Sequence, residues 1–204
     1  MRYIIMCGGN WKLVNKKPKQ IMTINGERII DRTIRLLREA GVKEIAITTD
    51  MPRYFKKCDA EVIKYKNPGQ WTNGFYPTTR RTCYICGDVY FSPEAIKTIV
   101  NTKTDDIEFF ASAPPFHGKY IKRFAEPYAF KVVNMRRFRK CIDLTQQYVR
   151  EGKLYRDISW ELWQVIKGTP LNIIDYTNYT VINDYTVDIH TELDKQQLER
   201  ELNI

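Results

Sequence analysis

The chain has 204 residues, 43% hydrophobic and 28% charged, with 33 Lys and Arg against 24 Asp and Glu for a formal charge of +9. That length suits one large α/β domain and would leave little core for each of two. No segment approaches the uninterrupted apolar run of a membrane span, which excludes a membrane protein of that kind. The positive balance favours anionic partners: nucleotides, phosphorylated small molecules, nucleic acid or anionic lipid.

In chain order, Arg2 to Cys7 is apolar and β-prone and runs into Gly8-Gly9, the profile of a buried strand emptying into a loop. The apolar run Tyr3 to Met6 is too short for a signal-peptide core. Basic residues follow at Lys12, Lys16, Lys17 and Lys19. After Asn25-Gly26-Glu27, apolar residues Ile29, Ile30, Ile34, Leu36, Leu37 and Ala40 recur at helical spacing, and Gly41 supplies a stop. Lys43 to Thr49 is the next strand, completing a βαβ unit with its helix on one face of a parallel sheet.

Further strands are expected at 61–65, 82–87, 107–112 and 128–134, with helices starting near Ser92-Pro93 and Asn134. The last third holds a helix through 135–151, an aromatic-rich helix at 157–167, β-prone runs at 171–175 and 179–183, and an amphipathic helix from 191. This alternation makes an α/β protein. In open sheets of that class ligands sit beyond the carboxyl ends of strands, here Cys7 to Lys19, Asp50 and Gly87-Asp88. The five cysteines, at 7, 58, 83, 86 and 141, show no disulfide framework, so the cytoplasm is the expected address. Cys83 and Cys86 have C-x-x-C spacing but fall in a strand, where residues three apart face opposite ways, against a zinc site.

The loop Cys7-Gly8-Gly9-Asn10-Trp11-Lys12, continued by Lys16-Lys17-Pro18-Lys19, places glycines where bulk would block a ligand and cations after them, which suits a polyphosphate. It is neither a P-loop nor a full Rossmann fingerprint, and a turn with solvated lysines is the competing reading. Tyr84-Ile85-Cys86-Gly87-Asp88 is an apolar strand ending in Gly-Asp. Tyr185-Thr186-Val187-Asp188-Ile189-His190-Thr191 leads into the last helix, with Asp188 and His190 on one face by strand alternation and Thr191 suited as N-cap.

Together these segments resemble the nucleotidyltransferase superfamily of sugar-nucleotide pyrophosphorylases and small cytidylyltransferases, including choline-phosphate cytidylyltransferases. The resemblance implies a three-layer αβα, Rossmann-like, GT-A-like fold with a mostly parallel mixed sheet. It implies Lys12 and Lys19 on the triphosphate, with Cys7, Gly8, Gly9, Asn10, Asn73, Thr79 and Gly87 around the nucleotide. Asp88 would hold catalytic magnesium, completed by Asp188 and His190, and Trp160-Glu161 would lie beside the acceptor. Two departures stand out: Asn10 where the family has a small glycine, and His190 where it has a second aspartate. Trp160 also fits a core position, since Ile158, Leu162, Trp163 and Ile166 surround it at helical spacing.

The implied chemistry is transfer of a nucleoside monophosphate, with CTP the favoured donor, to a phosphorylated acceptor such as a sugar phosphate or phosphocholine. It depends on positioning and charge neutralisation. Two alternatives stay open: a GT-A-like glycosyltransferase, which normally carries Asp-x-Asp, and a single-strand nucleic-acid-binding module, which needs its aromatics exposed on a basic surface. Nucleic acid is the weaker partner reading, and a homodimer is compatible with the chain length.

Overall fold

The computed structural model describes residues 1–8, 13–14 (backbone only), 17–67 and 69–203. Seven strands form one sheet: β1 (Arg2–Met6), β2 (Ile45–Thr49), β3 (Glu61–Lys64), β4 (Thr82–Cys86), β5 (Ile107–Ser112), β6 (Pro127–Val132) and β7 (Thr180–Ile182). Their spatial order is β7-β5-β6-β4-β1-β2-β3. β1 pairs in parallel with both β2 and β4, and β2 with β3. β6 runs antiparallel to its neighbours β4 and β5, and β5 pairs in parallel with β7. The chain winds outward from β1 through β2 to β3, then returns to the other side of β1 as β4. That reversal leaves a crevice beyond the carboxyl ends of β1 and β4.

Helices cover both faces, as the alternation of apolar side chains requires. On one face α1 (Ile29–Glu39) and α2 (Pro93–Asn101) pack Ile30, Ile34, Leu37, Ile96 and Ile99 against Tyr3, Ile5, Ile47, Cys83 and Ile85. On the other, α3 (Met135–Arg150) and α4 (Ser159–Lys167) pack Phe138, Ile142, Trp160, Leu162 and Trp163 against Ile4, Ala46, Tyr84, Phe109 and Phe130. A smaller cluster of Ile24, Ile29, Tyr90, Ile189 and Leu198 ties α5 (Glu192–Leu202) to the first helix. No helix among the described residues is long and apolar enough to cross a membrane.

The caps behave as the residue types dictate. Ser92 Oγ accepts from Ala95 N at 2.9 Å to start α2, Asn134 Oδ1 accepts from Arg137 N to start α3, and Gly41 and Gly168 follow α1 and α4 with left-handed φ of 86° and 71°. One expectation is corrected: 171–175 forms no strand. Side chains of α4 bond carbonyls in and just before it instead, with Gln164 Nε2 donating to Pro170 O (2.7 Å) and Ile173 O (2.6 Å) and Lys167 Nζ to Asp175 O.

Candidate active site

The end of β4 is built for close approach. Gly87 N donates to Met6 O at 3.1 Å, and a Cβ on Gly87 would stand 2.5 Å from that same oxygen and 2.6 Å from Cys7 Sγ. Only glycine lets the turn lie against the end of β1, and the turn delivers Asp88, which is buried. Two residues on, Val89–Tyr90 pairs antiparallel with Val187–Asp188, setting Asp188 opposite Val89, and Ile189 N donates to Asp88 O at 2.9 Å. This short ladder brings together two carboxylates a hundred residues apart in sequence.

α5 fixes the third member. Thr191 and Asp194 form a capping box, and Asp194 Oδ2 accepts from the backbone N–H groups of both His190 (2.8 Å) and Thr191 (2.7 Å). The ring of His190 then reaches Asp188, Nε2 to Oδ2 at 3.0 Å. Lys19, buried in the short 3-10 turn Lys19–Ile21, enters from the other side, its Nζ 3.1 Å from Asp88 Oδ2 and 2.6 Å from His190 Nδ1.

A buried ion-pair network holds Asp188 from behind. Glu126 Oε2 accepts from Asp188 N (3.1 Å) and from Lys122 Nζ (2.5 Å), and Lys122 Nζ also donates to Thr186 O (2.6 Å) and Tyr128 OH (2.7 Å). Burial, and then the negative charge of Glu126, push the Tyr128 hydroxyl well above its ordinary range, so it stays a neutral donor. Ser92 Oγ donates to Asp184 Oδ2 at 2.5 Å, fastening the same segment to the start of α2.

Burial raises the Asp188 carboxyl above the usual carboxylate range, and the nearby Asp88 adds to the rise. Asp188 holds His190 above the usual imidazole range, while Lys19 opposes that shift. Ligand atoms of Asp88, Asp188 and His190 lie within 4.8 Å of one another. Among the described residues Asp188 Oδ1 is buried with no hydrogen-bond partner, a costly state for a carboxylate oxygen and one that a divalent cation would relieve. Two carboxylates with one such oxygen fit a hard metal ion.

Of the residues expected from sequence, Lys19, Gly87, Asp88, Asp188 and His190 converge here, with Cys7 at the adjoining strand end. Gly8 follows Cys7, and among the described residues a Cβ there would meet nothing within 4 Å. Gly9, Asn10 and Lys12 lie outside the described residues. Thr79 is not brought to the cluster: it precedes β4, whose amino end is the opposite edge of the sheet, where Arg80 pairs with Glu44. Asn73 is anchored to α3, its Oδ1 accepting from Gln146 Nε2 at 2.8 Å. Trp160 is a core side chain, packed edge-on to Phe109, Tyr176 and Tyr179, with Nε1 donating to Ala125 O at 2.8 Å. Its neighbour Glu161 pairs with Arg156 through Oε1, while Oε2 is buried without a partner among the described residues. Sequence reading missed Lys122, Glu126, Tyr128 and Asp194; of these only Asp194, three residues beyond a candidate N-cap, carried a recognisable signal.

No protein-family model and no curated protein matches the sequence. Solved structures do. CTP:phosphocholine cytidylyltransferase (LicC) from Streptococcus pneumoniae matches with a TM-score of 0.58 at 16% identity, covering 98% of this chain and 98% of that one. A candidate glucose-1-phosphate thymidylyltransferase from Bacillus anthracis, solved with sucrose, matches with a TM-score of 0.61 at 14% identity, covering 98% of this chain and 94% of that one. Over nearly its whole length, then, the chain has the α/β fold of these nucleotidyltransferase structures.

Proposed function

We propose that this chain is a metal-dependent nucleotidyltransferase that moves a nucleoside monophosphate from a nucleoside triphosphate to a phosphorylated acceptor and releases pyrophosphate. The observation that carries the reading is the cluster itself: Asp88, Asp188 and the Lys19 ammonium packed at the carboxyl end of β4, with Asp188 Oδ1 unpartnered among the described residues. Asp88 and Asp188 would hold a divalent cation, magnesium by preference for oxygen ligands, with His190 hydrogen-bonded to Asp188 beside them. When bound, that cation neutralises charge across the phosphates. Lys19, with Lys12 from the glycine loop, neutralises the triphosphate.

In the transfer an acceptor phosphate oxygen forms a bond to the α-phosphorus. The bond from that phosphorus to the bridging oxygen breaks, and pyrophosphate leaves with the electron pair. A phosphate dianion attacks without losing a proton, so no protein base is required. The residues bind, orient and neutralise, which is where phosphoryl-type transfers draw their acceleration.

CTP and phosphocholine are the substrates in the name of one structural neighbour, and a sugar 1-phosphate with a thymidine nucleotide in that of the other. We favour CTP as donor. For the acceptor's outer part, Glu161 is the chain's best group, because its buried Oε2 lacks a partner and Tyr176 and the Trp160 ring stand close by. The test is a pyrophosphate-release screen of four nucleoside triphosphates against phosphocholine and sugar phosphates with magnesium. Release with one pair, abolished in Asp88→Ala while the circular dichroism spectrum is kept, is the expected result; a nucleotide-sugar donor consumed without pyrophosphate would instead make the chain a glycosyltransferase.

A further inference from the structure

Both ring nitrogens of His190 are already committed. Nδ1 lies 2.6 Å from Lys19 Nζ, and Nε2 lies 3.0 Å from Asp188 Oδ2. An ammonium group only donates, so Nδ1 is the acceptor, and the hydrogen-bond partners assign the ring proton to Nε2, where it is donated to the carboxylate. A histidine that ligates a metal must turn a bare nitrogen to it. Through Nδ1 this ring would have to expel Lys19; through Nε2 it would have to release Asp188 and change tautomer. Asp188 Oδ1, by contrast, is buried and unpartnered among the described residues, so the group ready for a cation is an oxygen.

We propose, building on the nucleotidyltransferase reading, that His190 is a positioning residue and not a metal ligand: its ring holds the Lys19 ammonium beside Asp88 and steadies Asp188 so that Oδ1 faces the cation. The capping box of α5 fixes the backbone from which the ring projects, so the ring is held at both ends. The metal then keeps oxygen ligands from protein despite the histidine beside it, and the hard-cation preference of the site is preserved. The same ring couples two tasks. A change at Lys19, the phosphate-binding end, is transmitted to Asp188, the metal-binding end, and the reverse.

The chain has two histidines, which makes the ring directly observable. In metal-free protein labelled with nitrogen-15 histidine, the ring signals absent from His190→Gln belong to His190. At mildly alkaline pH they should report a protonated Nε2 and a bare Nδ1, and the Nδ1 signal should move in both Lys19→Met and Lys19→Gln. A protonated Nδ1, or a ring indifferent to both Lys19 variants, would overturn the proposal. Pulsed electron paramagnetic resonance of bound Mn²⁺ supplies the second arm: no imidazole nitrogen coupling is expected, and a coupling that disappears in His190→Gln overturns the proposal. Failure to bind Mn²⁺ at all would defeat the nucleotidyltransferase reading, and the ring tautomer would still decide the role of His190. With turnover, His190→Gln should lower kcat by about 10–100-fold, the usual effect of losing a residue that orients ligands from outside the metal's own shell.

Discussion

Burial and the neighbouring Asp88 both favour the protonated form of Asp188, so without a cation its ionised form weighs against folding. A carboxyl whose folded pKa is raised adds stability below its ordinary pKa and loses it as pH climbs through the folded value. At neutral pH the metal-free protein therefore carries Asp188 at a cost. Asp188→Asn should raise the melting temperature of metal-free protein at neutral pH, an advantage that fades on acidification. It should also remove the gain from added divalent cation, which for the unaltered chain is about 2.7 kcal/mol at a hundredfold excess over Kd. Thermal melts with and without Mg²⁺ read both effects, and a lowered melting temperature of the metal-free variant would contradict the picture of a carboxylate whose ionised form is disfavoured where it stands. Gly87 makes a second residue-scale case. A methyl group there meets the Met6 carbonyl at 2.5 Å, and backbone cannot swing aside as a side chain can. Gly87→Ala should cost about 1–3 kcal/mol as an overpacked contact, read as a shift in the urea midpoint, and should weaken metal binding by displacing Asp88.

At the scale of elements, the site hangs on two-residue ladders and a helix cap more than on the long strands. Asp194 accepts from both His190 N and Thr191 N and so sets where the last helix begins. Asp194→Ala should cost about 1 kcal/mol, as lost caps do, and should reduce metal affinity although Asp194 is not among the residues assigned to the metal; isothermal titration with Mn²⁺ would show it, and unchanged affinity would mean the cap does not orient the site. The same division explains what the sequence made legible. Long runs such as Arg2 to Met6 and Ile107 to Ser112 announce themselves because each buries a continuous apolar stretch, and α2 and α3 begin where Ser92 and Asn134 offer caps. Asp88 and Asp188 were legible because each follows or ends a short apolar run beside a turn or helix start. Glu126 and Lys122 were not: their partners come from the backbone of 186–188, and no local pattern distinguishes a buried ion pair from an exposed one. The run 171–175 misled for a related reason. Its apolar residues suit a strand, yet the Gln164 amide bonds the carbonyls of Pro170 and Ile173, and tertiary partners override propensity.

For the whole molecule, the +9 charge and 13% aromatic content raise the question of a single-strand nucleic-acid-binding role, and the distribution of the described rings bears on it. Such proteins stack bases on exposed aromatics along a basic groove. Here Phe55, Phe75, Tyr84, Phe91, Phe109, Tyr128 and Phe138 are wholly buried, and among the described residues Phe116, Phe124 and Tyr155 are exposed rings. Phe124 does stand beside Lys119 and Arg123, along a cleft of about 840 Å³ that also touches Asp188 and His190. That cleft is shared between cations and the acidic face of α5, including Asp194 and Glu201, so a polyanionic strand laid along it would meet repulsion on one wall. Single strands should accordingly bind only through diffuse charge, with Kd no tighter than the non-specific range of about 10⁻⁴–10⁻⁶ M at physiological salt. Fluorescence anisotropy with labelled oligonucleotides across a salt series measures this. Tight binding that survives physiological salt and weakens in Phe124→Ala would show a stacking surface, whereas competition by nucleoside triphosphate with Mg²⁺, lost in Asp88→Ala, would place the anion at the carboxylate cluster where the fold directs it.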